Sequence, residues 1–585
     1  MAASSTSQPT QPSPRSYDYI IVGGGVAGLT LASRLSKLLS SANSDNADTT
    51  SPNINTNTNT AKRILVLEAG TDPSQTDYIV SATGYNQAKE SEYAYILDVE
   101  PNPHLNGRSG KVSVGKALGG SGAINGSAWT RGPKADYDYW AKLVGDDDWS
   151  YDKLLPFFQR LEHIVENSTE QQRDELHHGY DGIFKVVPIR ANHPKRHYPL
   201  RETIQKAWEE AGVPYKPDGN NGNQNGLTEM VELWVDGKRQ LPSQVLDLSR
   251  VEIRLSTRVR RVILDTSVAG EPVATGVELV SGERLPANKE VILCAGVYHS
   301  PQILMLSGIG DLAVLQQHGI QTIVPNVEVG KNLVDHLAIG MTWKLKHPEK
   351  GLAFGSPLLT DPSYFAGWPL DFMEFGQLDE PDKLVPLIKS AEERDFLLRP
   401  GTSHMEIVTL YAPMGAKFVG IDAAMDGSHL SSIAVCLATT SKGSVTIRSA
   451  NPEDPPVIDT NSNATETDRY ISREALRKVA SVYLETETGK SLISHEVTPP
   501  GYAAITHDTP DGEIDKRIRD FGYSLDHPMG TCSMGKVVDS HCRVKGVKGL
   551  RVVDGSVIPL PLACHIQVAV YAIAERVAEW VARGE

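Results

Sequence analysis

Tyr19-Ile20-Ile21-Val22-Gly23-Gly24-Gly25-Val26-Ala27-Gly28 is the stretch that decides the fold. Tyr19–Val22 is apolar at every position and bounded by glycine, the pattern of a strand buried on both faces of a parallel sheet. Leu29 to Leu39 reads as a helix, and Arg63-Ile64-Leu65-Val66-Leu67 as a second strand ending in Glu68-Ala69-Gly70. Strand, glycine turn, helix and strand open a βαβ unit. Gly23 makes the tight turn, Gly25 lets backbone approach a pyrophosphate, and Gly28 lets the helix pack on the strand. Val26 and Ala27 lie at the approach to the helix, whose positive dipole end and free N–H groups face an anion. Glu68, followed by Ala69, is placed to accept from ribose hydroxyls. A carboxylate there repels a ribose phosphate, which favours FAD or NAD over NADP. Glu68 lies 45 residues beyond Gly23. Residues 40–60 (SSANSDNADTTSPNINTNTNT) are a 21-residue low-complexity stretch read as a surface insertion, and without it the spacing is 24, near the usual value of about 20.

The chain has 585 residues; at roughly 150 per domain this predicts about two to four domains. The charge of −15 argues against nucleic acid or an anionic membrane as the main partner, because both need clustered positive charge. No apolar run reaches the ~18 residues of a bilayer span. Cys294, Cys436, Cys532, Cys542 and Cys564 form no CxxC pair, so reduced thiols are expected rather than a disulfide framework, and no metal site. Residues 1–16 (MAASSTSQPTQPSPRS) read as a disordered Ser/Pro tail with no signal-peptide core, which predicts a cytoplasmic protein.

Motifs further along the chain separate FAD from NAD. Gly115-Lys116-Ala117-Leu118-Gly119-Gly120-Ser121-Gly122-Ala123-Ile124-Asn125-Gly126 resembles the flavin-contacting loop of the glucose–methanol–choline (GMC) oxidoreductases. Cys294 to Gly310 resembles their second signature, and Val329-Gly330-Lys331-Asn332-Leu333-Val334-Asp335-His336 their VGxNLxDH element. His527-Pro528-Met529-Gly530, Gly549 to Ser556 and His565 to Ala572 resemble their C-terminal motifs, in the family's order. The histidine at 565 is similar to the fungal glucose-oxidase-like and aryl-alcohol-oxidase-like branches.

The resemblance implies an α/β Rossmann-like FAD domain from residues 17–160, 227–335 and 522–585. It also implies an α+β substrate domain with an antiparallel sheet from 161–226 and 336–521. Gly119, Gly120, Asn125, Gly126, Ser127 and Ala128 would contact the flavin, Val259 the adenine end, and Asp554, Gly555, Ile566 and Gln567 the pyrophosphate side and the ring. Some relatives hold FAD covalently through a histidine in the glycine loop; the matching residue here is Ile124, so FAD is expected to be noncovalent.

The same resemblance places His527 and His565 at the flavin. Alcohol oxidation removes a proton from oxygen and a hydride from carbon. An imidazole suits the first task, and the flavin accepts the hydride. His527 is expected as general base and His565 as its partner, with the roles exchangeable. The expected substrate is a primary or secondary alcohol, aromatic or polyketide-like, from specialised metabolism. The expected electron acceptor is dioxygen or another oxidant, and the expected state a monomer or homodimer. The alternative is a non-redox lyase or dehydrating cyclase that keeps FAD structurally. Tyr364, Phe365, Trp368, Phe372 and Phe375 either line an apolar pocket or fill a core or lid.

Overall fold

The computed structural model describes residues 16–45, 62–165, 177–192, 195–267 and 270–585. β1 (Tyr17–Val22) pairs in parallel with β2 (Ile64–Leu67) on one side and with Arg284–Leu293 on the other. Glu252–Arg254 continues the sheet beyond β2, and Leu550–Val552 lies beyond Arg284–Leu293, both in parallel. Ile20, Ile21, Leu65, Val66, Ile292 and Leu293 are fully buried, as a parallel sheet covered on both faces requires. Arg284–Leu293 also pairs antiparallel with Val273–Leu279, which pairs with Val259–Asp265, giving seven strands in all.

α1 (Val26–Asp45) packs along the last helix, Gln567–Arg583, where Arg34 Nη2 lies 3.0 Å from Glu579 Oε1. α1 is longer than its apolar pattern predicted. The first six residues of the 40–60 stretch continue the helix rather than beginning a loop. Ser40 and Ser41 turn their hydroxyls back to the carbonyls of Ser36 and Lys37, at 2.7 and 3.1 Å, so these short polar chains fit inside the helix. The rest of that stretch, and residues 1–15 of the tail, lie outside the described residues.

A second sheet of eight strands is antiparallel apart from its short edge strand Tyr215–Lys216. Its centre is Leu337–Leu345, His429–Cys436, Met405–Leu410 and Phe372–Gly376. Two short strands cross the boundaries expected from the sequence. Gly226–Glu229 pairs with Phe372–Gly376, and Tyr523–Ser524 with Leu337–Ala338. The blocks beginning at 227 and 522 therefore start in the antiparallel sheet before entering the nucleotide layer. The hairpin Ala94–Asn102 and Arg108–Gly115 belongs to a separate five-stranded sheet and delivers the chain to the glycine loop.

Beyond that loop the chain is anchored by a buried ion cluster. Glu162 Oε1 accepts from Trp129 Nε1 and Arg131 Nε, each at 2.7 Å, and Arg131 Nη2 pairs with Oε2. His178 bridges Glu162 Oε2 at 3.1 Å and Asp218 Oδ1 at 3.3 Å. Burial opposes charge on His178, but the hydrogen bonds to Asp218 and Glu162 prevail and push its pKa up to about 9. Burial likewise opposes charge on Glu162, but Arg131 and His178 bring it down to about 2. A histidine pKa raised on folding contributes stability that is complete below the unfolded value of about 6.5. That stability is lost as pH rises through about 9. The melting temperature should therefore fall steadily across that interval. In His178→Gln the fall should be flatter and the melting temperature lower at pH 6; an unchanged slope would remove His178 from the linkage.

Candidate active site

The glycine turn after β1 has little room for side chains. Gly23 has φ +111°, and a Cβ there would lie 2.2 Å from the Cys294 carbonyl oxygen. A Cβ on Gly28 would lie 1.9 Å from the Gly23 carbonyl oxygen, so only glycine lets α1 start this close to β1. The glycine loop packs onto this turn backbone to backbone. Gly119 N–H donates to Gly24 O at 2.7 Å, and a Cβ on Gly120 (φ +55°) would reach 2.7 Å from Gly25 Cα. The first hydrogen bond of α1 is Leu29 N–H to Gly25 O, so the N–H groups of Val26 and Ala27 stand free at the positive end of the helix.

Glu68 is buried, with Oε2 accepting from Gly24 N–H at 2.8 Å and Oε1 from Gly70 N–H at 2.7 Å. Burial raises its pKa, and these backbone bonds, with that of Ala69, oppose the rise. Each oxygen keeps a second lone pair for a ribose hydroxyl. The segment leading to Val259 runs alongside, with Thr257 N–H on Glu68 O at 2.8 Å. Val259 itself is buried and begins its strand opposite Leu279. A cradle of glycine backbone, a free helix N-terminus and a carboxylate at its end fits the adenosine diphosphate half of FAD.

Two segments expected at the flavin half are joined to each other. Asn125 Nδ2 donates to Gln567 Oε1, tying the glycine loop to the first turn of the last helix, which Ile566 precedes. Ser127 takes a left-handed φ of 60°, with its N–H on Asn125 Oδ1 at 3.0 Å. Gly126 O accepts from both Trp234 Nε1 and Trp368 Nε1, and Ala128 forms a bridge with Glu232. Ile124 is buried. The Asp554 carboxylate is occupied within the protein, accepting from Ser556 N–H, Gly296 N–H and Ser300 Oγ, and so pins Gly555 beside the helix Gly296–Leu306.

His527 and His565, 38 residues apart in sequence, have ring centroids 4.4 Å apart. Four residues not assigned roles from the sequence complete the cluster. His336 Nδ1 lies 3.1 Å from His527 Nδ1. Asp335 Oδ1 accepts the His527 N–H at 2.9 Å. His565 Nε2 bonds Glu406 Oε1 at 3.0 Å, and Thr130 Oγ1 accepts the His565 N–H at 2.8 Å. Burial, reinforced by the neighbouring His565, His336 and Lys89, holds His527 well below the ordinary histidine pKa. Burial and His565 bring His336 down to about 3. Burial raises Asp335 to about 7.

Signals for three of these were present in the sequence. Asp335 and His336 end a motif already singled out, and Glu406 is a charge inside the apolar strand MEIVTL. Of the five aromatics, Phe372 and Phe375 are core, Tyr364 stacks on Tyr198, and Phe365 is exposed against Phe354. Trp368 alone among them reaches the glycine loop.

The chain is similar to known proteins along almost its whole length. The GMC oxidoreductase N-terminal family profile matches residues 17–338 and the C-terminal profile residues 439–574. The GMC-type oxidoreductase acuG of Aspergillus aculeatus is 36% identical over 570 residues, covering 97% of this chain and 99% of its own. Pyranose dehydrogenase 3 of Leucoagaricus meleagris is 32% identical over 603 residues, covering 98% and 94%. A formate oxidase variant of Aspergillus oryzae superposes with a TM-score of 0.82 at 26% identity, covering 98% of this chain and 99% of that one. Matched by both profiles in order and aligned with relatives along almost its whole length, the chain belongs to the GMC oxidoreductases, an FAD-dependent family.

Proposed function

We propose that the protein oxidises a small-molecule alcohol to its carbonyl compound, with His527 as general base and His565 orienting the hydroxyl. The observation that carries this reading is the pair of imidazoles in contact, tied to the chain just past the glycine loop by the bond from His565 N–H to Thr130 Oγ1. Gly23, Gly25, Val26, Ala27, Glu68 and Val259 would hold the nucleotide half of FAD. The glycine loop and the 554–567 segment would hold the flavin, which supplies a hydride acceptor.

The hydrogen-bond chain supports the choice of base. The Nδ1–Nδ1 contact between His336 and His527 needs one donor and one acceptor. In the arrangement that suits catalysis, His336 Nδ1 accepts and His527 Nδ1–H donates. The lone pair of His527 Nε2 is then free for the substrate hydroxyl. As the carbonyl forms, the O–H proton passes to His527 Nε2 and the carbon-bound hydrogen leaves with its electron pair. The low pKa of His527 keeps it neutral, and therefore able to accept, at physiological pH.

Two aromatic pairs support a flat, apolar alcohol as substrate, one through Trp368 on the glycine loop and one close to His527 in sequence. Tyr85 meets Trp368 at 4.8 Å, and Phe418 stacks on Tyr523, four residues before His527, at 4.7 Å. Electrons leave to dioxygen or another acceptor.

In His527→Ala, turnover should fall by about two orders of magnitude or more while FAD stays bound; near-normal turnover in the flavin-loaded variant would remove His527 as the base. Anaerobic addition of a substrate should bleach the visible flavin band, whereas product formed without bleaching would favour a lyase or cyclase. Acid precipitation should leave FAD in the supernatant, because Ile124 offers no side chain for a covalent link; a yellow pellet would overturn this.

A further inference from the structure

Arg239 closes the short hairpin Trp234–Val235 and Lys238–Arg239 and is 4% exposed. Its guanidinium reaches only neutral acceptors: Ile79 O at 3.0 Å from Nε, and Asn125 Oδ1 at 2.8 Å, Ser127 Oγ at 2.9 Å and Gly122 O at 3.4 Å from Nη1. Its Cζ stacks on Trp234 at 4.3 Å, and Nη2 is buried with no hydrogen-bond partner among the described residues. The other buried arginines among the described residues all meet carboxylates. Arg131 pairs with Glu162, Arg196 with Glu232, Arg473 with Asp515, Arg517 with Glu496 and Arg551 with Glu290. A buried charge is costly unless it is paired. Burial accordingly lowers the guanidinium pKa to about 9.

The place of this unpaired cation suggests its counter-charge. All three groups on Nη1 belong to the Gly122–Ser127 stretch, and Asn125 carries the contact on to Gln567 at the head of the last helix. The same fork holds Ser127 in its left-handed backbone conformation, which is unfavourable for a side-chain-bearing residue. Arg239 therefore fixes the shape of the loop and leaves a positive charge behind it in a medium of low dielectric, where charges act over longer distances than in water.

We propose that Arg239 is a positioning residue of the flavin site, clamping Asn125 and Ser127 and using its unpaired charge to favour the reduced, more negative state of bound FAD. This rests on the FAD reading above. When substrate hydride enters, the cofactor gains two electrons and one proton, a net gain of one negative charge. The hydroxyl proton goes to His527.

The test is the midpoint potential of purified, FAD-loaded protein, equilibrated with redox dyes, for wild type, Arg239→Met and Arg239→Lys. Arg239→Met should favour reduction at least tenfold less, a fall of about 30 mV for a two-electron couple. Arg239→Lys should lie near wild type at neutral pH and fall toward the methionine variant as the buried lysine deprotonates, at a lower pH than the wild-type guanidinium and in a step that Arg239→Met lacks. A purely structural clamp would alter FAD content without moving the potential of the flavin that remains. An Arg239→Met protein with wild-type potential overturns the inference. If Arg239→Met does not fold, an Arg239→Lys potential that tracks wild type at every pH overturns it. Wild-type protein purified without flavin would instead overturn the cofactor reading itself.

Discussion

The rest of the molecule depends on one close approach, that of two backbones with no side chains between them. The turn Gly23–Gly28 and the loop Gly115–Gly126 meet through Gly119 N–H on Gly24 O, and a Cβ on Gly70 would lie 2.0 Å from the Lys116 carbonyl oxygen. This contact joins the parallel sheet that ends in the helix dipole to the hairpin that ends in the flavin loop. Each partner alone is a glycine-rich strand end; held together they make a cradle with N–H groups on one wall and a carboxylate at its end. Larger residues at these glycines would separate the two walls, and Asn125 could no longer reach Gln567.

The histidine cluster uses a different principle, in which polar side chains are buried and each is held by another. His565 comes from the segment before the last helix, and its Nε2 is held by Glu406 from the centre of the antiparallel sheet. His527 is held through its backbone by Asp335 and through its ring by His336, both at the entry to Leu337–Leu345. The two layers are therefore joined at the chemistry itself. Burial, with Lys89 and the adjoining imidazoles adding to it, keeps His527 neutral, while Glu406 offers a carboxylate to His565, so two chemically identical side chains sit in different electrostatic settings.

Much of this was legible in the sequence wherever the information was local. The Tyr19–Gly28 run, the strand into Glu68 and the two C-terminal histidines each carry their signal within a few residues. The family's order of motifs then supplied the pairing of His527 with His565. What could not be read came from long-range pairing: Glu406 lies 159 residues from His565, and His336 lies 191 from His527. No periodicity links such positions, because only the tertiary fold sets them side by side. Arg239 was hidden for another reason. An arginine in sequence looks like a surface charge, and only its burial without a carboxylate marks it. The length of α1 was misread because Ser40 and Ser41 resemble loop residues until their hydroxyls are seen bonding within the helix.

The order in which the parallel sheet is completed bears on how the chain is made. β1 needs Arg284–Leu293 as its neighbour, that strand needs Leu550–Val552, and α1 needs the final helix. At a synthesis rate of roughly 5–20 residues per second, the first strand emerges about half a minute to two minutes before the last. Through that interval an apolar ribbon such as Tyr19–Val22 has open edges and uncovered faces, the state in which strands pair with the wrong partner. The nascent chain has to be shielded until its end arrives, and a truncation near the C-terminus would leave the first-made part of the nucleotide layer uncovered.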